Sequence, residues 1–119
     1  MFSKACTFIL TLFSGVSFGN SSKYSSSLKM VEKGRTVFQN NCIACHGEKG
    51  DGHGPAARSI AGAKPRDFTT GYFRFGGSPE EIFNTITKGS EGTAMPAWSS
   101  LPEKERWALV AYIKTLGKK

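Results

Sequence analysis

Three stretches of the chain repeat their apolar residues at helical spacing. Met30, Val31, Gly34, Val37 and Phe38 share one face of a segment running from about Leu28 to Asn40. A second segment opens at Ser78, with Pro79 in the first helical position and Glu81 three residues after Ser78, which together form a capping box. Ile82, Phe83 and Ile86 give it an apolar face, and Gly89 after Lys88 stops it. A third starts near Pro102 and repeats Leu109, Tyr112, Ile113 and Leu116 at i, i+3, i+4, i+7. Its acids, Glu103 and Glu105, lie in the first turns, and Lys114, Lys118 and Lys119 lie at the end, as the helix dipole favours. No run alternates with period two between hairpin turns, so strands are not expected. The pattern predicts an all-α fold.

Between the first two helices, residues 47 to 77 are rich in Gly and contain Pro55 and Pro65. That is too long for an ordinary connection in a compact domain. Phe68, Tyr72, Phe73 and Phe75 lie within it, so the segment is not composed like a disordered linker and is expected to pack on a cofactor. Across the 119 residues there are nine Phe, three Tyr and two Trp, yet also 14 Gly. A chain of this size builds one modest core.

The N-terminus has its own pattern. Lys4 precedes an apolar or small, uncharged run from Ala5 to Phe18, ending Ser17-Phe18-Gly19. Such a run reads as a signal peptide over residues 1–19, and at about fourteen residues it is short of the ~20 that span a bilayer. Residues 20–27 then form a flexible leader and 28–119 the functional domain, exported to the periplasm. Cleavage removes Cys6, leaving Cys42 and Cys45, and lowers the formal charge from +7 to +6. A basic surface suits docking to acidic proteins. No nucleic-acid-binding motif accompanies it.

Cys42-Ile43-Ala44-Cys45-His46 has the C-x-x-C-H spacing of covalent c-type haem attachment. Thiols at i and i+3 point to one side of a helical turn, where each can join a vinyl group of one porphyrin, and the next residue sets an imidazole beneath the iron. A disulfide would close too small a loop to stabilise the fold much. Four-ligand zinc needs more partners than the remaining His53 supplies, and a thioredoxin-like site needs a βαβ context. A low-spin carrier also needs a second axial ligand, for which a thioether supports a higher potential than imidazole. Met30 precedes Cys42 on the same helix, and His53 lies close to His46 in sequence. Met95, in a loop between two helices and followed by Pro96, has the best reach.

With these residues the chain resembles class I cytochromes c of the small, monohaem bacterial periplasmic kind, over residues 28 to 117. Gly34, Phe38 and Cys42 stand at the spacing at which that family packs its first helix on its last, and Leu109 and Tyr112 match the partner positions. Thr93-Ala94-Met95-Pro96 resembles the distal-ligand loop, and the Gly50 to Pro55 stretch a glycine-rich turn found after the motif. The resemblance implies a one-electron carrier, not an enzyme, with one haem c per chain on Cys42 and Cys45 and with His46 and Met95 on the iron. It also implies that Pro55 offers a carbonyl to His46, and that Arg58, Arg66 and Trp98 lie in the haem surroundings. Redox proteins with acidic docking faces, some membrane-bound, are the expected partners of a monomer.

Overall fold

The computed structural model describes residues 24–117; the signal segment with Cys6, the first part of the leader, Lys118 and Lys119 lie outside the described residues. Five helices follow one another: α1 (Leu28–Asn41), α2 (Ile43–His46), α3 (Pro55–Ser59), α4 (Pro79–Lys88) and α5 (Glu103–Leu116), with a 3₁₀ turn at Phe68–Thr70. No strand occurs among the described residues. The three long helices fall where the apolar periodicity puts them.

The core is the crossing of α1 on α5. Gly34, Val37 and Phe38 are the buried residues of α1, and Phe38 is fully enclosed. A Cβ on Gly34 would drive into the Ala108 carbonyl and crowd the Tyr112 Cβ, so the absence of a side chain sets how closely the backbones approach. Phe38 meets Tyr112 with ring centroids 5.2 Å apart. Lys33 and Glu105 add an ion pair at 3.8 Å across the same crossing, exposed and therefore worth little.

Helix α4 packs on another side of α5. Ile82 and Ile86 are buried, and Phe83 stacks on Trp107 at 4.0 Å and 15°. The capping box forms: Glu81 N–H donates to Ser78 Oγ and Ser78 N–H to Glu81 Oε2. Because α1 and α4 cover different sides of α5, its burial extends through Trp107, Ala108, Leu109, Val110 and Ala111 to Ile113. The single apolar stripe expected from the sequence understates this, with Tyr112 and Leu116 only half-buried.

The long connection holds more structure than expected. Pro55, at the first position of α3 after extended Gly54, starts a helical turn. Asp67 caps the 3₁₀ turn by accepting from Thr69 N–H, and Phe68 is buried against α5.

Candidate haem site

The attachment motif sits on a sharp change of direction. Cys42 N–H still donates to Phe38 O, closing α1, and α2 begins at Ile43. Residues 47–54 then fold back onto α2, with Gly52 N–H on His46 O at 2.8 Å and Gly54 N–H on Cys45 O at 3.0 Å. Gly54 fits only because it lacks a Cβ, which would strike the backbone at Ala44 and Cys45. The motif is thus clamped from behind by main-chain bonds, leaving its side chains for other work.

Both thiols are free and half-buried. Burial pushes the Cys42 thiol up to about 12, and the nearby Cys45 adds in the same direction. The shift at Cys42 is opposite to the one redox dithiols and thiolate ligands use. The intervening Ile43 and Ala44 line a separate hollow of about 530 Å³ with Gly47, Asp51, His53 and Pro55, which neither cysteine nor His46 lines.

His46 faces the Arg66 carbonyl through Nδ1 at 3.4 Å. A carbonyl only accepts, so Nδ1 carries the proton and the Nε2 lone pair is left for a metal. Burial lowers the imidazole's affinity for a second proton, partly offset by that carbonyl, which keeps the ring in the neutral form a ligand requires. Phe68 stacks on the ring at 4.6 Å and 23°, and Phe38 lies at 6.4 Å. The acceptor is therefore Arg66 and not Pro55. Pro55 is exposed at the start of α3, while residues 65–67 run past the motif, with Pro65 O beside Gly52. A main-chain acceptor leaves no side-chain signature, and neither it nor the Phe68 stack could be assigned from spacing.

The other candidates separate. Met95 is half-buried, its backbone held by Met95 N–H on Thr93 Oγ1 at 3.2 Å and Ser90 N–H on Met95 O at 3.3 Å. Met30 packs against the core from α1. His53 is exposed and lies 3.6 Å from Asp51. Arg66 is half-buried with its guanidinium 5.3 Å over the Tyr72 ring, Arg58 is exposed, and Trp98 packs on the core with its backbone N–H on Ile86 O at 2.9 Å.

The donor set fits a covalently held haem: two free thiols at i and i+3, then an oriented neutral imidazole backed by aromatic rings. Among the described residues no group of three or more His, Cys, Asp or Glu stands close enough to hold a metal by itself.

Comparison with known proteins agrees. Residues 29–113 match the family described as cytochrome c oxidase, cbb3-type, subunit III. The cbb3-type oxidase subunit CcoP of Azospirillum brasilense is 38% identical over 96 residues, covering 80% of this chain and 31% of that protein. Subunit FixP of Azorhizobium caulinodans is 39% identical over 88 residues, covering 73% of this chain and 27% of that protein. The chain thus spans about a third of the length of these relatives. Among solved structures, a chain of the reducing HAO-like protein complex of Kuenenia stuttgartiensis superposes with a TM-score of 0.71 at 33% identity, over 81% of this chain and 47% of that one. Cytochrome c6 of the diatom Phaeodactylum tricornutum, at 24% identity and a TM-score of 0.56 over 74% of this chain and 94% of its own, shares the fold. Matched across most of its helical domain, the chain belongs to the cbb3-type subunit III family of cytochrome c domains, class I in fold, which transfer electrons through covalently attached haem c.

Proposed function

We propose that this chain is a monohaem one-electron carrier, not itself an enzyme, with its haem joined to Cys42 and Cys45 and its iron held between His46 and Met95. The observation that carries the reading is the motif's own geometry: two thiols on one turn beside an imidazole whose Nδ1 is committed to Arg66 O. When bound, haem supplies the Fe(II)/Fe(III) couple. The cysteines hold the group against loss. The Arg66 carbonyl and Phe68 fix the imidazole plane, and the bond to the carbonyl raises the ring's basicity. Met95 offers a soft thioether, which favours the reduced state over harder donors. Two protein ligands also leave no position for a substrate, the physical content of a carrier role.

Mass measurement of the exported protein should show added haem, absent when both cysteines become serine; a haem-free mature mass from a competent host would end the assignment. Oxidised protein should show the weak red charge-transfer band of thioether-bound iron, lost with a lowered potential in Met95→Ala and retained in Met30→Leu and His53→Ala. An unchanged spectrum in Met95→Ala would sink the ligand assignment.

Its partners, on this reading, are acidic redox proteins met outside the cytoplasm after signal removal. Between residues 55 and 77 the chain carries Arg58, Lys64, Arg66 and Arg74 against one carboxylate, Asp67, which is engaged with Thr69. Ile60, Tyr72 and Phe75 are exposed among them. No helix of the described residues is long and apolar enough to cross a membrane. A second reading, a domain or subunit of an oxidoreductase assembly, is favoured by relatives whose names place them in cbb3-type oxidases. Purification from the native host separates the two by whether a partner stays bound.

A further inference from the structure

We infer that Arg106 is the positioning residue of the Met95 loop, a single guanidinium that ties the loop's two ends together. The inference rests on the reading of Met95 as an iron ligand.

The loop leaves α4 at Lys88 and ends where α5 begins. Arg106, half-buried on the first turn of α5, reaches both ends. Its Nη1 donates to Thr87 Oγ1 at 2.6 Å, in the last turn of α4, and its Nε donates to Leu101 O at 3.1 Å, just before α5. Thr87 is prepared for this, because its own hydroxyl proton goes to Phe83 O at 2.8 Å and leaves the lone pairs to accept. The plane of the guanidinium is set as well: Cζ lies 4.9 Å from the centre of the Phe83 ring, whose stack on Trp107 joins α4 to α5.

Inside the clamp the loop is laced to itself and to α4. Trp98 N–H donates to Ile86 O and Leu101 N–H to Trp98 O at 3.0 Å, while Ser90, Thr93 and Met95 are linked as already described. Ser90 O also accepts from Thr93 Oγ1 at 2.6 Å. Ile86, Thr87 and Leu101 are therefore the fixed points from which residue 95 is hung, and Arg106 bonds two of them. Both of its acceptors are neutral, so the contact acts through direction and not as an ion pair. Lysine keeps the charge but lacks the planar fork that donates two ways while lying on a ring.

Lys114 supplies the control. It is also a half-buried cation of α5, and its Nζ donates to Gly77 O at 2.9 Å, on a loop that does not carry Met95. The experiment compares holoprotein of Arg106→Met, Arg106→Lys, Thr87→Val and Lys114→Met by denaturant unfolding, by the red charge-transfer band and by the rate at which imidazole displaces the native sixth ligand. Displacement in Arg106→Met should be on the order of tenfold faster, reflecting loop opening without global unfolding. Arg106→Lys should recover part of that loss, and Thr87→Val should shift in the same direction by less. Lys114→Met should lose stability with no change in displacement rate. Equal displacement rates in Arg106→Met and Lys114→Met would overturn the clamp. If Arg106→Met does not fold, Thr87→Val decides alone, an unchanged rate overturning the proposal. A wild-type protein without the thioether band would remove the Met95 assignment first, and the clamp with it.

Discussion

Gly34 shows how one residue's lack of atoms shapes the domain. Its missing Cβ admits the Ala108 carbonyl, a main-chain group that cannot move aside without unwinding α5. Gly34→Ala should therefore cost about 3 kcal/mol or more, a large share of the ~5–15 kcal/mol typical of a domain, read as a lower denaturant midpoint. Gly71→Ala serves poorly as a comparison because its φ of 72° adds strain, whereas exposed Ser99→Ala should shift the midpoint little. This is also the scale at which the sequence was most legible. Cys42, Cys45, His46 and Met95, the residues proposed to hold the haem, stand out in the sequence because that chemistry needs particular side chains at particular spacings. The Arg66 carbonyl does not, since every residue has one and only the path of the chain selects which is used.

At the scale of elements, helix starts are written in side chains and were recovered closely. Ser78 and Glu81 cap α4 as their spacing requires, and the hydrogen bonds from Ser78 hold the Glu81 carboxyl below its usual range of about 4.5. A depressed carboxylate stabilises the fold fully above its unfolded value, and that contribution is lost as pH falls through the folded value. Stability should thus decline below about pH 4.5 more steeply in the native protein than in Glu81→Gln, as urea titrations across pH 3–7 would reveal. Ser78→Ala should cost about 1 kcal/mol at neutral pH. The short α3 and the 3₁₀ turn were not foreseen. Each is about one turn long, too brief for periodicity to register, and each depends on its place against other segments: Phe68 is buried by α5, a contact that local sequence does not encode.

For the whole molecule, the net charge, +7 for the full chain and +6 without the segment holding Lys4, and the cationic, aromatic-studded stretch from residue 58 to 75 would set the terms of encounter on the carrier reading. Electron transfer with an acidic partner should slow as ionic strength rises, because steering between unlike charges weakens as the Debye length contracts toward ~8 Å at physiological salt. Stopped-flow rates across a salt series provide the measurement, and Arg74→Ala should flatten the slope. A salt-independent rate would point to a partner recognised through apolar contact alone.

The crossing of α1 on α5 has a consequence in time as well as in space. The first long helix of the domain packs mainly against the last, so in a chain emerging end-first Phe38, which also meets His46 and Phe68, is not fully enclosed until the residues around Ala108 and Tyr112 have followed. Cys42 and Cys45 lie directly after that waiting helix. On the proposed reading of an exported chain, both thiols are reachable before the final segment arrives to enclose Phe38 and complete the core. On that reading the architecture orders two events, covalent tethering and then closure, and a variant that closed early would shorten the very interval in which it must be loaded.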